Sequence, residues 1–256
     1  MIFDTHAHYD DEQFDTDREE LIGSLKDAGI GYVANIGASL SSSQASMDLA
    51  HKYDFFYAVV GVHPSEVEEL DEDNIKKLME WSRDDKCVAI GEIGLDYHWP
   101  DPPCELQKRW FRRQLQIARA VKLPVVIHSR EAAQDTLDIM KDEHAEDIGG
   151  VVHCFSYSKE IADICTKMGF YIGIGGVLTF KNAKKMVEVV ENTPMDRIIL
   201  ETDCPYLAPE PFRGKRNCSL YLPYVVDKMA EIKKITREEV IKITEDNARR
   251  MYGLDR

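Results

Sequence analysis

The amino-acid sequence predicts an α/β fold, a single (β/α)8 TIM barrel with a C-terminal packing helix, over residues 1–256. Short apolar, β-rich runs alternate with amphipathic stretches along the chain. Apolar strands separated by helices are typical of a parallel sheet covered by helices, and eight such units in about 250 residues indicate a closed barrel. The eight runs are MIFDT (1–5), GYVANI (31–36), FFYAVVGV (55–62), KCVAIGEI (86–93), LPVVIH (123–128), GGVVHCF (149–155), FYIGIGG (170–176) and DRIILET (196–202).

The stretches between these runs carry apolar residues at helical spacing, as in REELIGSLKDAG (18–29) and ELQKRWFRRQLQIARAVK (105–122). The tail TREEVIKITEDNARRMYG (236–253) predicts a final packing helix, with Thr236 as its N-cap and Glu239 completing a capping box. A doubly wound open sheet is the structural alternative. That fold usually has a glycine-rich phosphate loop after its first strand, where this chain has two histidines.

Composition excludes several classes of protein. The chain is 44% hydrophobic, enough for a large core, and its glycines and prolines are too few for a linker-rich or disordered protein. The longest apolar runs are too short to cross a bilayer and the start of the chain lacks a basic signal-peptide region, so we expect a cytoplasmic protein without a membrane partner. Six cysteines without a CxxC pair are expected to be reduced thiols.

The net charge of −14 bears on possible partners. A nucleic-acid-binding protein normally shows a basic face, so this charge argues against a long nucleic-acid footprint. It does not exclude a small phosphate site, because bound divalent cations change the local sign of the charge.

Residues that can bind metals stand where the predicted strands end. His6 and His8 follow the first run, and side chains two apart in a strand share a face. A single buried histidine is more often a hydrogen-bonded core residue than a ligand. Five of the eight runs, however, end in such residues, and barrel active sites form at the carboxyl ends of the strands. The joint pattern predicts a metal site from four histidines and two carboxylates: His6, His8, Glu92, His128, His153 and Asp203. Glu201 stands beside this set at the end of the eighth run.

This set exceeds what one ion needs, since zinc usually takes four ligands. Two ions that share a carboxylate fit the number of ligands. Glu92 is the natural shared carboxylate, because its strand lies between the strands that carry the other ligands. We therefore expect two divalent cations per chain, and Mg, Mn, Zn, Co and Fe all remain open. One ion is expected on His6, His8, Asp203 and Glu92, and the other on Glu92, His128 and His153.

Seven motifs occur in order along nearly the whole chain: DTHAH, GxHP (61–64), GEIGLDY (91–97), VIHSREA (127–133), HCFS (153–156), ETDCPYLAP (201–209) and FRGKRN (212–217). Together they resemble the TatD-type metal-dependent hydrolases, deoxyribonucleases of the wider amidohydrolase-like barrel superfamily. The resemblance implies a two-metal site on the six ligands named above, and roles near the substrate for His63, Arg130 and Glu201. One departure is that Cys218 and Ser219 follow Asn217, where the family usually has Glu-Pro.

The resemblance implies that the reaction is hydrolysis of DNA phosphodiester bonds, from the end of a strand, by one metal-dependent hydrolase domain. Asp203 is predicted to accept the proton of the attacking water. Glu201 is also predicted to be catalytic, by orienting a metal ligand or the substrate. Arg130 is suited to bind a phosphate oxygen. Arg213, Lys215 and Arg216 form a basic cluster that either contacts substrate or is simply a solvated loop.

Two other functions are compatible with the sequence. One is a hydrolase of amides, lactones or small phosphoesters, although many cyclic amidohydrolases bridge their metals with a carboxylated lysine where this chain has Glu92. The other is an inactive metal-binding scaffold. Substrate is expected to be a DNA end or single-stranded DNA, with no obligate protein partner. Cys154 and Cys204 are predicted not to bind metal, because a strand neighbour of a ligand points to the opposite face.

Overall fold

The computed structural model describes residues 1–255 and contains eight parallel strands in one sheet, ordered as they occur in the chain. The strands are β1 (Ile2–Ala7), β2 (Ile30–Ile36), β3 (Phe56–Val60), β4 (Cys87–Asp96), β5 (Val125–Arg130), β6 (Gly150–Val152), β7 (Tyr171–Ile174) and β8 (Ile198–Leu200). The helices are α1 (Arg18–Leu25), α2 (Leu40–Lys52), α3 (Glu72–Trp81), α4 (Cys104–Val121), α5 (Ala133–Asp142), α6 (Lys159–Lys167), α7 (Lys184–Asn192), α8 (Leu222–Lys233) and α9 (Arg237–Met251). The predicted (β/α)8 barrel is confirmed.

The barrel closes where the chain beyond β8 meets β1. A single backbone bridge joins Ala7 and Cys204. The N–H of Asp203 donates to the carbonyl of His6 at 2.9 Å, and the N–H of His8 donates to the carbonyl of Cys204 at 2.8 Å. Closure of the barrel therefore brings Asp203 beside the two histidines of the first strand.

Helix α9 packs against one end of the barrel interior. Its capping box is confirmed, since Thr236 and Glu239 each accept a hydrogen bond from the other's backbone N–H. At its other end the Tyr252 hydroxyl donates to the carbonyl of Thr5 at 2.8 Å. Residues from all eight strands and from this helix form one apolar layer: Phe3, Ala34, Ile36, Val59, Val88, Ala89, Val126, Val151, Tyr171, Ile199, Ala248, Met251 and Tyr252. None of the helices in residues 1–255 combines the length and apolar character needed to cross a bilayer.

Several strand ends differ from the sequence prediction. Strands β4 and β5 run further, whereas β6 and β8 end just before His153 and Glu201. Shortly after these ends, Cys154 and Asp203 adopt left-handed backbone angles, with φ of 42° and 57°, which turn the chain out of the strand direction. The polar side chains at His153, Glu201 and Asp203 therefore come from loops immediately beyond the sheet.

Candidate metal centre

Histidine and carboxylate side chains from six strands or the loops that follow them meet at the carboxyl end of the barrel. All six predicted ligands lie in this cluster, and three groups within it have donor atoms close enough to share an ion. The structure also brings His63 into the cluster, from the loop after β3. The members of the three groups are His6, His8, His63, Glu92, His128, His153, Glu201 and Asp203.

Glu92 lies at the centre, and its two carboxylate oxygens face different histidines. Its Oε2 is 3.4 Å from Nε2 of His6 and 3.8 Å from Nε2 of His8. Its Oε1 is 2.6 Å from Nε2 of His153 and 2.7 Å from Nδ1 of His128. One carboxylate thus separates the histidines into a pair facing Oε2 and a pair facing Oε1, and the binding of one ion to each pair stays a prediction.

Asp203 lies beside His6 and His8, the two histidines that face Oε2 of Glu92. Its Oδ1 is 3.6 Å from Nε2 of His6 and 3.5 Å from Nε2 of His8, and the two ring nitrogens are 3.1 Å apart. The other ring nitrogen of His8, Nδ1, lies 3.0 Å from the carbonyl of Ile36. A donor bond from Nδ1 to that carbonyl leaves the Nε2 lone pair available to a cation. Burial, assisted by the positive charge of His153, lowers the pKa of His6 to about 4, so this ring is neutral near pH 7.

The pair of histidines facing Oε1 of Glu92 is His128 and His153, whose Nδ1 and Nε2 atoms are 3.1 Å apart. Nε2 of His63 lies 3.7 Å from Oε1 of Glu92. Burial and the charge on His128 lower the pKa of His63 to about 3, and a neutral ring can bind a cation. His63, expected only near the substrate, therefore also has the position and charge state of a ligand.

Sequence reasoning missed Asp96, the last residue of β4. Its side chain is buried, and Oδ2 lies 3.1 Å from Nε2 of His128, the nitrogen that faces away from Glu92. A carboxylate on the far nitrogen of a ligating histidine fixes the ring orientation and raises its basicity. The sequence does show this carboxylate, as the last residue of GEIGLD and four residues after Glu92. It was overlooked because the fourth strand was expected to end before it.

Replacing Asp96 with asparagine is expected to lower metal affinity about 10- to 100-fold, the range found when such an outer partner is lost. Titration calorimetry with Mn²⁺ or Zn²⁺ measures the effect. Asp101→Asn, an exposed carboxylate in the loop beyond β4, is the matched control. An Asp96→Asn protein with wild-type affinity would show that this contact does not support the ligand.

The donor set fits divalent cations. Imidazole nitrogens and carboxylate oxygens converge on one another, an arrangement that a cation would satisfy. Mixed histidine and carboxylate ligands suit Zn, Mn, Fe or Co, and the oxygen-rich side also suits Mg. Asp203 keeps a pKa below its usual value although burial opposes this, because His8 hydrogen-bonds to it and three histidines surround it. The carboxylate is therefore ionised and ready to bind.

Metal binding is expected to release protons. Burial alone would lower the pKa values of His8 and His128, but hydrogen bonds to Asp203, and to Asp96 and Glu92, raise each to about 9. Both rings are therefore protonated at pH 7.5 without metal, and ligation needs them neutral. Calorimetric heats should depend on the ionisation enthalpy of the buffer, and affinity should rise with pH up to about 9. A heat that is the same in all buffers would contradict this assignment.

Glu201 lies behind the cluster. Its Oε1 is 4.0 Å from Nδ1 of His153 and accepts a hydrogen bond from the N–H of Cys154. Its Oε2 and the Nδ1 atoms of His6 and His153 are buried and have no hydrogen-bond partner among residues 1–255. Burial raises the pKa of Glu201 to about 8. This position suits the orientation of ligands from their far side, and a direct role of Glu201 in the chemistry stays a prediction.

The basic residues predicted to contact substrate lie in two separate segments, the end of β5 and the loop before α8. Arg130 is exposed at the end of β5, on the same edge of the barrel as the cluster. Arg213 and Lys215, in the loop before α8, stack over the rings of Phe180 and Phe212 at 4.3 and 5.8 Å. Arg216 instead forms an ion pair with Asp17 and packs over a buried ring. That member of the basic cluster has a structural role.

Strand alternation was expected to point Cys154 and Cys204 away from the metal site. That expectation is wrong for Cys154. This residue lies outside β6 and lines a small cavity together with Glu201 and Asp203, because its left-handed backbone breaks the strand alternation. Burial raises the pKa of its thiol well above the usual value, which disfavours the thiolate needed for ligation. Cys204 is fully buried. Neither belongs to a candidate ligand group in residues 1–255, and their absence from the metal shell stays a prediction.

Ser219, part of the departure from the family motif, connects the last long loop to the first strand. Its hydroxyl donates to Oδ2 of Asp4 at 2.6 Å and lies 2.8 Å from the hydroxyl of Tyr9. Burial raises the pKa of Asp4 to about 6, although hydrogen bonds from Ser219 and Thr202 oppose the rise. The substituted loop thus supports the strand that presents His6.

Replacing Ser219 with alanine is expected to destabilise the fold by about 1–3 kcal/mol, the cost of removing a partner from a buried polar group. Urea unfolding at pH 7.5 measures it, with Cys218→Ala as the neighbouring control. Equal midpoints for Ser219→Ala and wild type would indicate that this hydrogen bond adds nothing.

A barrel with a histidine and carboxylate cluster at the carboxyl ends of its strands defines a metal-dependent hydrolase. The family model for TatD related DNase matches residues 3–253, and the chain belongs to that family, which confirms the resemblance seen in the sequence.

Two relatives and one solved structure show the likeness in detail. The chain is 46% identical over 255 residues to an uncharacterized metal-dependent hydrolase, YabD of Bacillus subtilis (strain 168), with 100% of both chains covered. It is 32% identical to the 3'-5' ssDNA/RNA exonuclease TatD of Pectobacterium parmentieri (strain WPP163), covering 99% of this chain and 100% of that protein. The crystal structure of YjjV, a TatD homologue from Escherichia coli K12, matches with a TM-score of 0.92 at 29% identity, covering 98% of each chain.

Proposed function

We propose that this chain is a deoxyribonuclease that hydrolyses phosphodiester bonds from the ends of single-stranded DNA with two divalent cations. The observation that carries the proposal is the division of Glu92, with one oxygen facing His6 and His8 and the other facing His128 and His153. A carboxylate shared in this way is the usual bridge of a two-metal hydrolytic site. His6, His8 and Asp203 would hold one cation with Glu92, and His128 and His153 the other.

Bound there, the cations would supply a water of lowered pKa and positive charge for the phosphodiester oxygens. The chain's own residues do the rest. Asp203 lies on the open side of the cluster, 18% exposed, and its second carboxylate oxygen can accept the proton of the attacking water. His6 and His8 hold this carboxylate in place, since their Nε2 atoms lie 3.6 and 3.5 Å from its Oδ1.

Arg130 would contact the phosphate. It ends β5, two residues beyond His128, and its exposed guanidinium can bind two phosphate oxygens at once. The protein as a whole is acidic, with a net charge of −14, so binding of a polyanion depends on the metals and on a few local contacts. A short single strand or a frayed end suits such a small site better than intact duplex.

The relative from Pectobacterium parmentieri supports this choice of substrate, since that protein is named a 3'-5' ssDNA/RNA exonuclease. Glu92 stands where a carboxylated lysine bridges the metals of many cyclic amidohydrolases. Lys86, just before β4, donates to the carbonyls of Asp54 and Phe56 at 2.9 and 3.1 Å, far from the cluster. These contacts favour phosphodiester over amide chemistry.

A metal-by-substrate panel tests the proposal. Purified protein would be loaded with Mg, Mn, Zn or Co and offered single-stranded DNA, duplex DNA, RNA, nucleotide phosphodiesters, cyclic amides and lactones. We expect metal-dependent release of nucleotides from single-stranded DNA ends, abolished by chelator and restored by metal. Intact DNA together with rapid cleavage of a cyclic amide or lactone would replace the nuclease with an amidohydrolase. No turnover of any substrate by a metal-loaded protein would favour a binding scaffold.

A further inference from the structure

We propose that Trp99 is a stacking platform for a nucleic-acid base at the rim of the metal centre. The inference rests on the proposed function, because it assigns the residue that holds a base while the adjoining phosphate lies at the cluster. Base stacking on an aromatic ring contributes to single-strand binding without regard to sequence.

The position of Trp99 follows from the strand that precedes it. β4 carries Glu92 and ends at Asp96, whose carboxylate lies 3.1 Å from Nε2 of His128. Trp99 comes three residues later, and its side chain is 60% exposed. The loop therefore leaves the metal centre and immediately presents an indole ring to solvent.

The same loop is connected to Arg130. The backbone N–H of Tyr97 donates to the carbonyl of Arg130 at 2.9 Å. Nδ1 of His98 lies 2.8 Å from Oε1 of Glu131, and the His98 ring meets the Trp99 ring edge to face at 4.8 Å. The loop that carries Trp99 is thus bonded to the strand that ends in Arg130, so the ring and the cation belong to adjoining segments of the rim.

The ring is presented on a fixed loop. Three of the four residues after Trp99 are proline, and each proline restricts its backbone to one φ value. Gln107, buried in α4, accepts from the N–H of Asp96 at 2.8 Å and donates to the carbonyls of Asp96 and Pro102 at 2.9 and 2.8 Å. A loop fixed at both ends in this way presents the ring with little backbone freedom left to lose when a base binds.

Other exposed large apolar side chains in residues 1–255 do not offer the same arrangement. Tyr206 also lies at the rim, but it is less exposed and its hydroxyl already donates to Asp11 at 3.0 Å. Tyr224 lies on α8 and packs against Phe212 at 5.3 Å. Trp99 is the most exposed of these aromatic side chains, and its loop is bonded through Tyr97 to the backbone of Arg130.

An acidic protein gains particularly from a contact of this kind. Phosphate contacts weaken as salt rises, because bound counterions must be displaced. Stacking has no such dependence, so it can retain a polyanion on a protein of charge −14 at physiological salt.

The test combines two changes, removal of the Trp99 ring from the protein and removal of the bases from the substrate, each made alone and together. Steady-state kinetics of the Mn-loaded protein would be measured on an oligothymidylate and on an abasic oligonucleotide of equal length, for wild type and Trp99→Ala. On oligothymidylate we expect KM to rise about tenfold, within the 5- to 150-fold range of one stacked base, with kcat little changed. On the abasic strand the two proteins should have equal KM values, because no stacking is left to lose.

Three further variants sharpen the result. Trp99→Phe keeps an aromatic face and should restore most of the lost affinity. Tyr224→Ala, a matched exposed ring elsewhere on the surface, should behave as wild type. Between low and high salt the effect of Trp99→Ala should stay constant, whereas that of Arg130→Ala should shrink.

The outcomes separate this inference from the proposed function. If wild type cleaves oligothymidylate but Trp99→Ala raises KM equally on both strands, or not at all, the platform is refuted and the nuclease stands. The same holds if Tyr224→Ala loses as much affinity as Trp99→Ala. If wild type cleaves neither strand with any metal, the proposed function fails, and this inference fails with it.

Discussion

Replacing Glu92 with glutamine is expected to reduce the bound metal from two cations to one per chain and to lower kcat/KM on single-stranded DNA by about 1,000-fold or more. The amide keeps the size of the carboxylate but loses the charge that faces four histidines. A metal ion contributes several kcal/mol of charge stabilisation, and each 1.36 kcal/mol is tenfold in rate. Metal content by mass spectrometry and steady-state kinetics on the same sample measure both effects.

Glu131→Gln is the control for the Glu92 variant, since Glu131 is an exposed carboxylate at the rim. It should keep both cations and most of the activity. A Glu92→Gln protein that retains two cations per chain and wild-type kinetics would show that Glu92 is not a bridge. Circular dichroism of the variant distinguishes loss of metal from loss of fold.

Replacing Asp203 with asparagine is expected to lower kcat about 100- to 10,000-fold, the range for loss of a general base, while the affinity for single-stranded DNA changes little. The asparagine oxygen can still face His6 and His8, where Oδ1 of Asp203 now lies at 3.6 and 3.5 Å. What is lost is the second oxygen that would accept the proton of water. Single-turnover kinetics and DNA binding at saturating metal separate the two quantities.

Saturating metal matters here because asparagine is a weaker ligand than aspartate. If activity returns to the wild-type rate as metal is raised, Asp203 acts only as a ligand and the proton acceptor lies elsewhere. Asp11→Asn, a nearby carboxylate bonded to Tyr206, serves as the control and should keep a near-normal kcat.

The fold was predictable because its signals are local and repeated. Eight apolar runs separated by amphipathic stretches leave few architectures other than a barrel, and the closure found between Ala7 and Cys204 follows from it. The six expected ligands meet for the same reason, since the carboxyl ends of parallel strands share one edge. Their division around the two oxygens of Glu92 agrees with the strand order.

The strand ends were less predictable, and the errors about residues follow from them. Asp96 was overlooked because β4 continues beyond the apolar run that marks it. Cys154 was expected to face away because strand alternation was assumed, whereas its φ of 42° turns it towards the site. The position of His63 against Glu92 depends on contacts between distant segments, which a single sequence does not report.

The most direct measurement is an anomalous-scattering map from crystals of the Mn- or Zn-loaded protein. The account predicts two peaks about 3.5–4 Å apart, each within coordination distance of a different oxygen of Glu92. His6, His8 and Asp203 should surround one peak, and His128 and His153 the other. A single peak in a fully loaded crystal, or two peaks with Glu92 more than about 4 Å from both, would contradict the bridged two-metal centre.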